Sequence, residues 1–160
     1  NNRRQFELIA EQKIHQWPQY KSICLLMFDV DFFKRINDNY GHDIGDQVLQ
    51  KIAEIARKEM RRDDVLARFG GEEFVALLPE TSIDDAMMIA GRLRQKIEWT
   101  TVCISNTIKL NFTISIGVSQ LDPDEVDLHL LIKEADVALY RAKQNGRNQV
   151  VSFDPLPNEV

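Results

Sequence analysis

Hydrophobic residues recur along the chain with two different periods, which predict a mixture of helices and strands. Apolar residues at helical spacing predict helices over residues 6–17, 36–40, 48–56, 82–98 and 128–145. Short apolar runs predict strands over residues 23–28, 65–69, 74–78 and 149–153, and strict alternation predicts a half-buried strand over 109–118. Pro18 and Gly146 are expected to end the first and the last helix.

The order of these elements predicts the fold class. After the first helix the chain reads strand, helix, strand, strand, helix, strand, helix, strand, which is most simply arranged as a ferredoxin-like βαββαβ core with one added strand. We therefore expect an α+β fold with a mostly antiparallel central sheet of roughly five strands surrounded by helices. Residues 1–154 of the 160 are expected to form a single domain and residues 155–160 a C-terminal tail.

The composition limits which partners the protein is expected to bind and which cellular compartment suits it. With 20 Lys and Arg against 25 Asp and Glu, the net charge is -5, so we expect no binding to nucleic acid, and any bound phosphate must be held locally. Two cysteines and three histidines provide neither a disulfide framework nor a zinc cluster, which favours a cytoplasmic location. The longest apolar run, 23–28, is too short to cross a bilayer. Because the chain opens without Met, we expect the numbering to begin inside a longer protein.

The aspartate that follows the first predicted strand is a candidate for metal binding. Asp29 comes directly after the buried run, where open sheets present carboxylates to a ligand. The alternative is that Asp29 or Asp31 caps the helix that begins near residue 32, and this alternative is stronger for Asp31.

The glycine-rich segment between the next two strands predicts a hairpin with two acids at its tip. Gly70 and Gly71 have no side chains, so a triphosphate and its cations can approach the backbone closely while Glu72 supplies an oxygen ligand. Paired with Asp29, Glu72 would hold Mg²⁺ between two carboxylates, with one or two cations equally compatible. The alternative is that Glu72 and Glu73 are simply solvated.

Five motifs in sequence order resemble those of the GGDEF domain of diguanylate cyclases, in the form that reads GGEEF. They are DVDFFKRINDNYGH at 29–42, GD at 45–46, RFGGEEF at 68–74, TISIGV at 113–118 and ADVALYRAKQNGRN at 135–148. The likeness covers nearly the whole chain, starting from the NRR at 2–4 that ends the family's opening motif.

The resemblance implies roles for specific residues. It implies that Mg²⁺, or alternatively Mn²⁺, is held by Asp29, Glu72 and the backbone carbonyl of Val30. It implies that the guanine edge is read by Asn37 and Asp46, for which helix capping near Gly41 and Gly45 is the alternative. It implies that the phosphates are bound by the backbone N–H groups of Phe32 and Phe33 and by the side chains of Lys34, Lys143 and Arg147. For the last two, stabilisation of a helix C-terminus is the alternative.

The resemblance also implies a second, inhibitory site for the product. Arg61 and Asp64 form an Arg-x-x-Asp sequence shortly before Gly70, and Arg92 matches the family's secondary contact. Arginine can bind a purine edge bidentately and Asp accepts from guanine N–H groups. The alternative is a solvated loop in which Arg61 and Asp64 form a surface pair of little energetic value.

The function that the resemblance implies is a diguanylate cyclase, which condenses two GTP into cyclic diguanylate (c-di-GMP) and releases two diphosphates. Glu73 would either assist deprotonation of the attacking 3′-hydroxyl or bind a second cation. With one GTP per chain and a two-fold symmetric product, we expect a homodimer, controlled by an upstream sensory or regulatory domain. The alternatives are a catalytically silent receptor for GTP or c-di-GMP and a cyclase that makes a mononucleotide.

Overall fold

The computed structural model describes residues 2–16 and 21–154 of the chain. Its helices are α1 (Asn2–Gln16), α2 (Phe33–Tyr40), α3 (His42–Glu59), α4 (Ile83–Glu98) and α5 (Leu128–Gln144). Its strands are β1 (Cys24–Val30), β2 (Val65–Gly70), β3 (Glu73–Leu78), β4 (Thr101–Cys103), β5 (Lys109–Asn111), β6 (Ile114–Gln120) and β7 (Val150–Ser152). The predicted helix end at Pro18 and the predicted tail at 155–160 lie outside the described residues.

The main sheet has five strands in the order β2-β3-β1-β6-β7. The first four strands pair antiparallel and β7 joins β6 in parallel, which is a ferredoxin-like core with one strand added at its edge. The predicted α+β class and mostly antiparallel sheet are therefore confirmed. β1 is central and every one of its residues is buried.

Two apolar layers hold the sheet between helices. The residues of β1 that point to one face, such as Leu26 and Phe28, pack with α3 and α4. The residues that alternate with them, such as Leu25 and Met27, pack with α1 and α5. Because both faces of β1 are covered, its sequence is a continuous apolar run and not an alternating one. The position after that run, residue 29, is where the first polar side chain emerges.

One predicted strand was wrong. The alternating segment 109–118 is divided into β5, which pairs with β4 in a separate hairpin, and β6, which belongs to the main sheet. The prediction that this strand is half-buried is also wrong for β6, since residues 114–119 are all buried. The reason lies at Gly117, where a Cβ would be 2.1 Å from the Ala135 carbonyl oxygen of α5. The missing side chain lets the helix backbone cover this face directly.

No helix in the described ranges 2–16 and 21–154 is long and apolar enough to cross a membrane.

Candidate active site

Strand register brings two acids together at one end of the sheet. In the antiparallel pair of β1 and β3, Asp29 lies opposite Glu73. Residues directly opposite each other point to the same face, with Cβ atoms about 5 Å apart. The β2–β3 pair has an irregularity before Gly70, and Gly71 at the tip has φ 43°. This left-handed conformation favours glycine, and Glu72 follows it, close enough for its charge to raise the pKa of Asp29.

Asp29 is a buried carboxylate with one oxygen satisfied. Its Oδ2 forms an ion pair with Lys143 Nζ of α5, while the buried Oδ1 has no hydrogen-bond partner among the described residues. Burial raises the pKa of Asp29, Lys143 opposes this, and the charges of Glu72 and Asp136 raise the pKa further. A divalent cation at Oδ1 would supply the missing partner and the missing positive charge. The residues present therefore fit the predicted metal.

Glu73 is also held in a setting that favours its neutral form. Burial raises the pKa of Glu73, and the charges of Asp29 and Asp136 add to the rise, against smaller opposing effects of Arg3 and Lys143. Asp136 was not among the predicted site residues. Its spacing of seven from Lys143 puts both on one face of α5, so the periodicity of that helix was the signal that pointed to it.

A cavity of about 350 Å³ borders Glu72 and contains the predicted guanine-binding residues Asn37 and Asp46. It is lined by Phe33, Lys34, Asn37, His42, Asp46, Leu49, Arg68, Gly71 and Glu72. Cavities of this size accept small ligands. His42, Leu49 and Arg68 were not predicted, because only the tertiary structure shows that α3 and β2 face the same space.

The capping alternative for Asn37 and Asp46 is wrong. Asn37 lies inside α2 and Asp46 inside α3, and neither helix has a side-chain cap within the described chain. The Oδ1 atom of Asn37 is buried, and no described residue hydrogen-bonds to it. A Cβ at Gly45 would lie 1.9 Å from this oxygen, so the glycine makes the room that the Asn37 side chain occupies. Such an unpaired amide is available to a ligand in the cavity.

The turn between β1 and α2 carries the predicted phosphate site. Phe32 adopts a left-handed φ of 56°, and α2 begins at the next residue. The first N–H groups of a helix have no intrahelical acceptor, which suits an anion. The guanidinium groups of Arg147 and Arg35 lie 4.6 and 4.5 Å from the centre of the Phe32 ring. Arg35 was not predicted and adds a third positive charge at this turn, beside those of Lys34 and Arg147.

Asp31 does not cap α2, and that alternative is wrong. The N-cap position is Phe32, which makes no side-chain cap hydrogen bond. The buried Asp31 carboxylate instead accepts hydrogen bonds from Thr113 Oγ1, Ser115 Oγ and the backbone N–H of Asn148. It connects three segments that are distant in the sequence.

The Arg-x-x-Asp segment forms a structured loop after α3. The backbone N–H of Arg61 donates to Asp64 Oδ2 at 2.7 Å, and the Arg61 guanidinium donates to the Pro79 carbonyl at 2.7 Å. The Asp64 side chain is 1% exposed and that of Arg61 54% exposed, so the predicted alternative of a surface pair does not describe Asp64. Burial raises the pKa of Asp64, against the opposing effect of Arg61.

Arg92 lies on α4 and is engaged by an acid at the end of α3. Its Nε donates to Glu59 Oε2 at 3.3 Å, and Lys96 forms an ion pair with the other oxygen of Glu59. Since Glu59 precedes Arg61 by two positions, α4 presents Arg92 beside the start of the Arg-x-x-Asp loop.

Comparison with known proteins agrees with this architecture. The family model described as "Diguanylate cyclase, GGDEF domain" matches residues 1–149. Diguanylate cyclase A of Treponema denticola is 45% identical over 138 residues, which are 86% of this chain and 37% of that protein. The chain therefore spans well under half of this curated relative.

Two solved structures are similar over nearly the whole chain. The GGDEF domain of DgcB from Caulobacter crescentus, in complex with c-di-GMP, superposes with a TM-score of 0.84 at 28% identity and covers 96% of this chain and 86% of that one. The active GGEEF domain of a diguanylate cyclase from Vibrio cholerae gives a TM-score of 0.83 at 28% identity, with 96% and 95% covered. On the strength of its fold, its clustered site residues and these matches, the chain belongs to the diguanylate cyclase GGDEF domain family.

Proposed function

We propose that this domain condenses two molecules of GTP into c-di-GMP, with release of two diphosphates, in a reaction that depends on Mg²⁺. One observation carries the proposal. The β1–β3 register sets Asp29 beside Glu73, and the glycine turn delivers Glu72 to the cavity that also holds Asn37 and Asp46. The acids proposed to hold the cation, Asp29 and Glu72, therefore lie at the edge of a polar cavity of nucleotide size.

The metal would be held by Asp29, Glu72 and the backbone carbonyl of Val30. When bound, a divalent cation neutralises phosphate charge and favours the alkoxide form of an attacking hydroxyl. Lys143 keeps a positive charge on the second oxygen of Asp29 and so favours the ionised carboxylate that a metal needs.

The chain's own residues bind and orient the nucleotide. Asp46 accepts from the ring N–H and amino group of guanine, and Asn37 supplies an amide with both donor and acceptor atoms. The α2 N-terminus at Phe33, with Lys34 and Arg147, holds the phosphates by N–H donors and positive charge. These contacts would hold the α-phosphorus in line with the 3′-hydroxyl of a second GTP, and such positioning is the main contribution of a protein to phosphoryl transfer.

Glu73 is proposed to take the proton from the attacking 3′-hydroxyl. Its raised pKa makes it a stronger base than an ordinary glutamate. It lies opposite Asp29, so it would be within reach of a hydroxyl directed at a phosphate that is held near Asp29.

Turnover requires two chains. Each chain has one set of these residues, whereas c-di-GMP contains two equivalent nucleotides. Two domains must therefore meet about a two-fold axis, each presenting one GTP to the other. The specific activity should rise with enzyme concentration in dilute solution, and a constant specific activity far below any dimer dissociation constant would contradict the two-chain arrangement. That a regulatory domain controls the meeting of the two chains stays a prediction. The cytoplasmic location also stays a prediction.

Product inhibition is proposed to act through the loop of Arg61 and Asp64, with Arg92. About half of the Arg61 side chain is exposed and available to a guanine base, and the ordering of the loop by Asp64 lowers the entropy lost on binding. To contact Arg92, c-di-GMP must displace Glu59 from the Arg92 guanidinium. The affinity of the inhibitory site for c-di-GMP therefore depends on the strength of the Arg92–Glu59 ion pair.

The deciding experiment is incubation with GTP and Mg²⁺, followed by mass analysis of the products. Wild-type protein should form c-di-GMP and diphosphate, and Glu72→Ala should lower the rate by about 100-fold or more through lost metal binding. Glu54→Ala, which removes an exposed acid of α3, is the matched control and should keep the wild-type rate. GTP binding without any product would identify a silent receptor, and a one-nucleotide product would identify a different cyclase.

A further inference from the structure

The turn that follows α5 has an unusual backbone. Arg147 N–H donates to the Ala142 carbonyl at 3.0 Å, which closes a Schellman motif with Gly146 at the left-handed position. The next two residues also have positive φ, 65° at Arg147 and 49° at Asn148. A left-handed conformation costs a non-glycine residue roughly 1–2 kcal/mol. Something in the surrounding structure must therefore hold this turn.

The Asp31 carboxylate binds the main chain of this turn, while the Asn148 side chain donates to Glu98 and accepts from Arg94, and the Gln149 side chain donates to the Arg147 carbonyl. Asp31 Oδ2 accepts from the Asn148 backbone N–H at 3.0 Å and from Thr113 Oγ1 at 2.7 Å, while Oδ1 accepts from Ser115 Oγ at 2.6 Å. Asp31 is 5% exposed, so these bonds form away from water. Hydrogen bonds to a buried charged acceptor are among the stronger ones in proteins.

The Arg147 side chain extends from this turn to the residue next to Asp31. The guanidinium of Arg147 lies over the ring of Phe32, which is the residue next to Asp31 and the start of the phosphate-binding turn. One short segment, 31–32, thus fixes both the main chain beside Arg147 and the ring on which its side chain rests. Loss of the Asp31–Asn148 bond would leave the Asn148 N–H without its buried acceptor, so the main chain of the turn could relax and carry Arg147 away from this place even with the side-chain bonds of Asn148 and Gln149 in place.

We propose that Asp31 is a positioning residue that holds Arg147 at the triphosphate-binding turn through its bond to the Asn148 N–H. The proposal rests on the function proposed above, in which Arg147 binds phosphate. Asp31 itself does not touch the nucleotide, and its contribution passes entirely through the conformation of the 146–148 turn.

The test is a double-mutant cycle read by nucleotide affinity. The probe is 3′-deoxy-GTP with Mg²⁺, which lacks the attacking hydroxyl and cannot be condensed. Asp31→Ala should weaken its binding by about 10- to 100-fold, the range for a lost charge-assisted interaction. In an Arg147→Ala background, Asp31→Ala should cost less than about twofold more, because both changes remove the same contact.

Two conservative variants separate positioning from general destabilisation. Asp31→Asn can keep an oxygen toward Asn148 N–H and turn its amide toward Ser115 Oγ, which can accept, so its affinity should stay within about threefold of wild type. Ser115→Ala removes only the bond to Oδ1 and should also bind normally. The Asn148 amide proton should exchange faster in Asp31→Ala than in either variant.

Each outcome decides the question. Additive losses in the cycle, or full affinity in Arg147→Ala, would overturn the proposal. If wild-type protein did not bind 3′-deoxy-GTP, the proposed function itself would fail, which is a separate result. Asp31→Ser, whose hydroxyl is too short to reach Asn148, is made in parallel. If neither it nor Asp31→Ala folds, Asp31 serves only the core and the proposal is wrong.

Discussion

Replacement of Gly45 by alanine tests the guanine site without touching a residue that binds the base. An alanine Cβ would lie 1.9 Å from Asn37 Oδ1, 3.0 Å from Asn37 Cγ and 3.2 Å from Phe33 Cζ. A carbon and an oxygen cannot approach closer than about 3 Å, so the Asn37 amide must move by roughly 1 Å or more. The substitution therefore removes Asn37 from the position in which it meets the cavity.

The expected loss is that of one base contact. A well-placed bidentate amide contact to a base contributes about 1–3 kcal/mol, which corresponds to about 5- to 150-fold in affinity for 3′-deoxy-GTP. The fold should survive, because alanine gains about 0.5–1 kcal/mol over glycine in a helix and offsets the cost of displacing Asn37. We expect the free energy of unfolding to stay within about 1 kcal/mol of wild type.

The control is Gly91→Ala in the middle of α4. A Cβ at Gly91 meets no described atom within 4 Å, so this variant should be slightly more stable and bind the nucleotide normally. Affinity is measured by calorimetry and stability by urea denaturation. In an Asn37→Ala background, Gly45→Ala should cause no further loss. Wild-type affinity in Gly45→Ala, or a large further loss in the double variant, would refute the assignment of Asn37 to guanine.

Three further predictions follow from the packing and the charges. Gly117→Ala places a Cβ 2.1 Å from the Ala135 carbonyl oxygen and should lower the free energy of unfolding by about 3 kcal/mol in urea; an unchanged midpoint would contradict the close packing of β6 on α5. Burial and neighbouring acids raise the pKa of Glu73, so wild-type protein loses stability as pH rises from the ordinary glutamate range through that raised pKa. Glu73→Gln should therefore be more stable than wild type at pH values above the raised pKa and equally stable at pH values below the ordinary glutamate range. A stability difference that does not vary with pH would contradict the raised pKa of Glu73 as its cause. Arg61→Ala should relieve product inhibition in a GTP turnover assay, whereas Arg62→Ala should retain it. If both variants were inhibited as strongly as wild type, Arg61 would have only the structural role of donating to the Pro79 carbonyl.

Much of the local structure was accessible from the sequence. The continuous apolar run at 23–28 predicted a central strand because both faces of β1 are buried. Ser82 accepts from Asp85 N–H at the start of α4, and Gly146 ends α5, as their residue types predict. These features depend on neighbours within a few residues, and the order of elements then left few topologies to consider. The types of residue able to bind metal and guanine were also readable from the motifs.

The tertiary structure alone decided which groups meet. Asp31 and Asn148 are 117 positions apart, and no local pattern shows that one anchors the other. The β1–β3 register set Glu73 opposite Asp29, and the approach of α2 to α3 made Gly45 a requirement for the Asn37 side chain. Periodicity reports which face of an element is buried, whereas pairing, register and burial of a charge depend on the distances between elements that only packing determines.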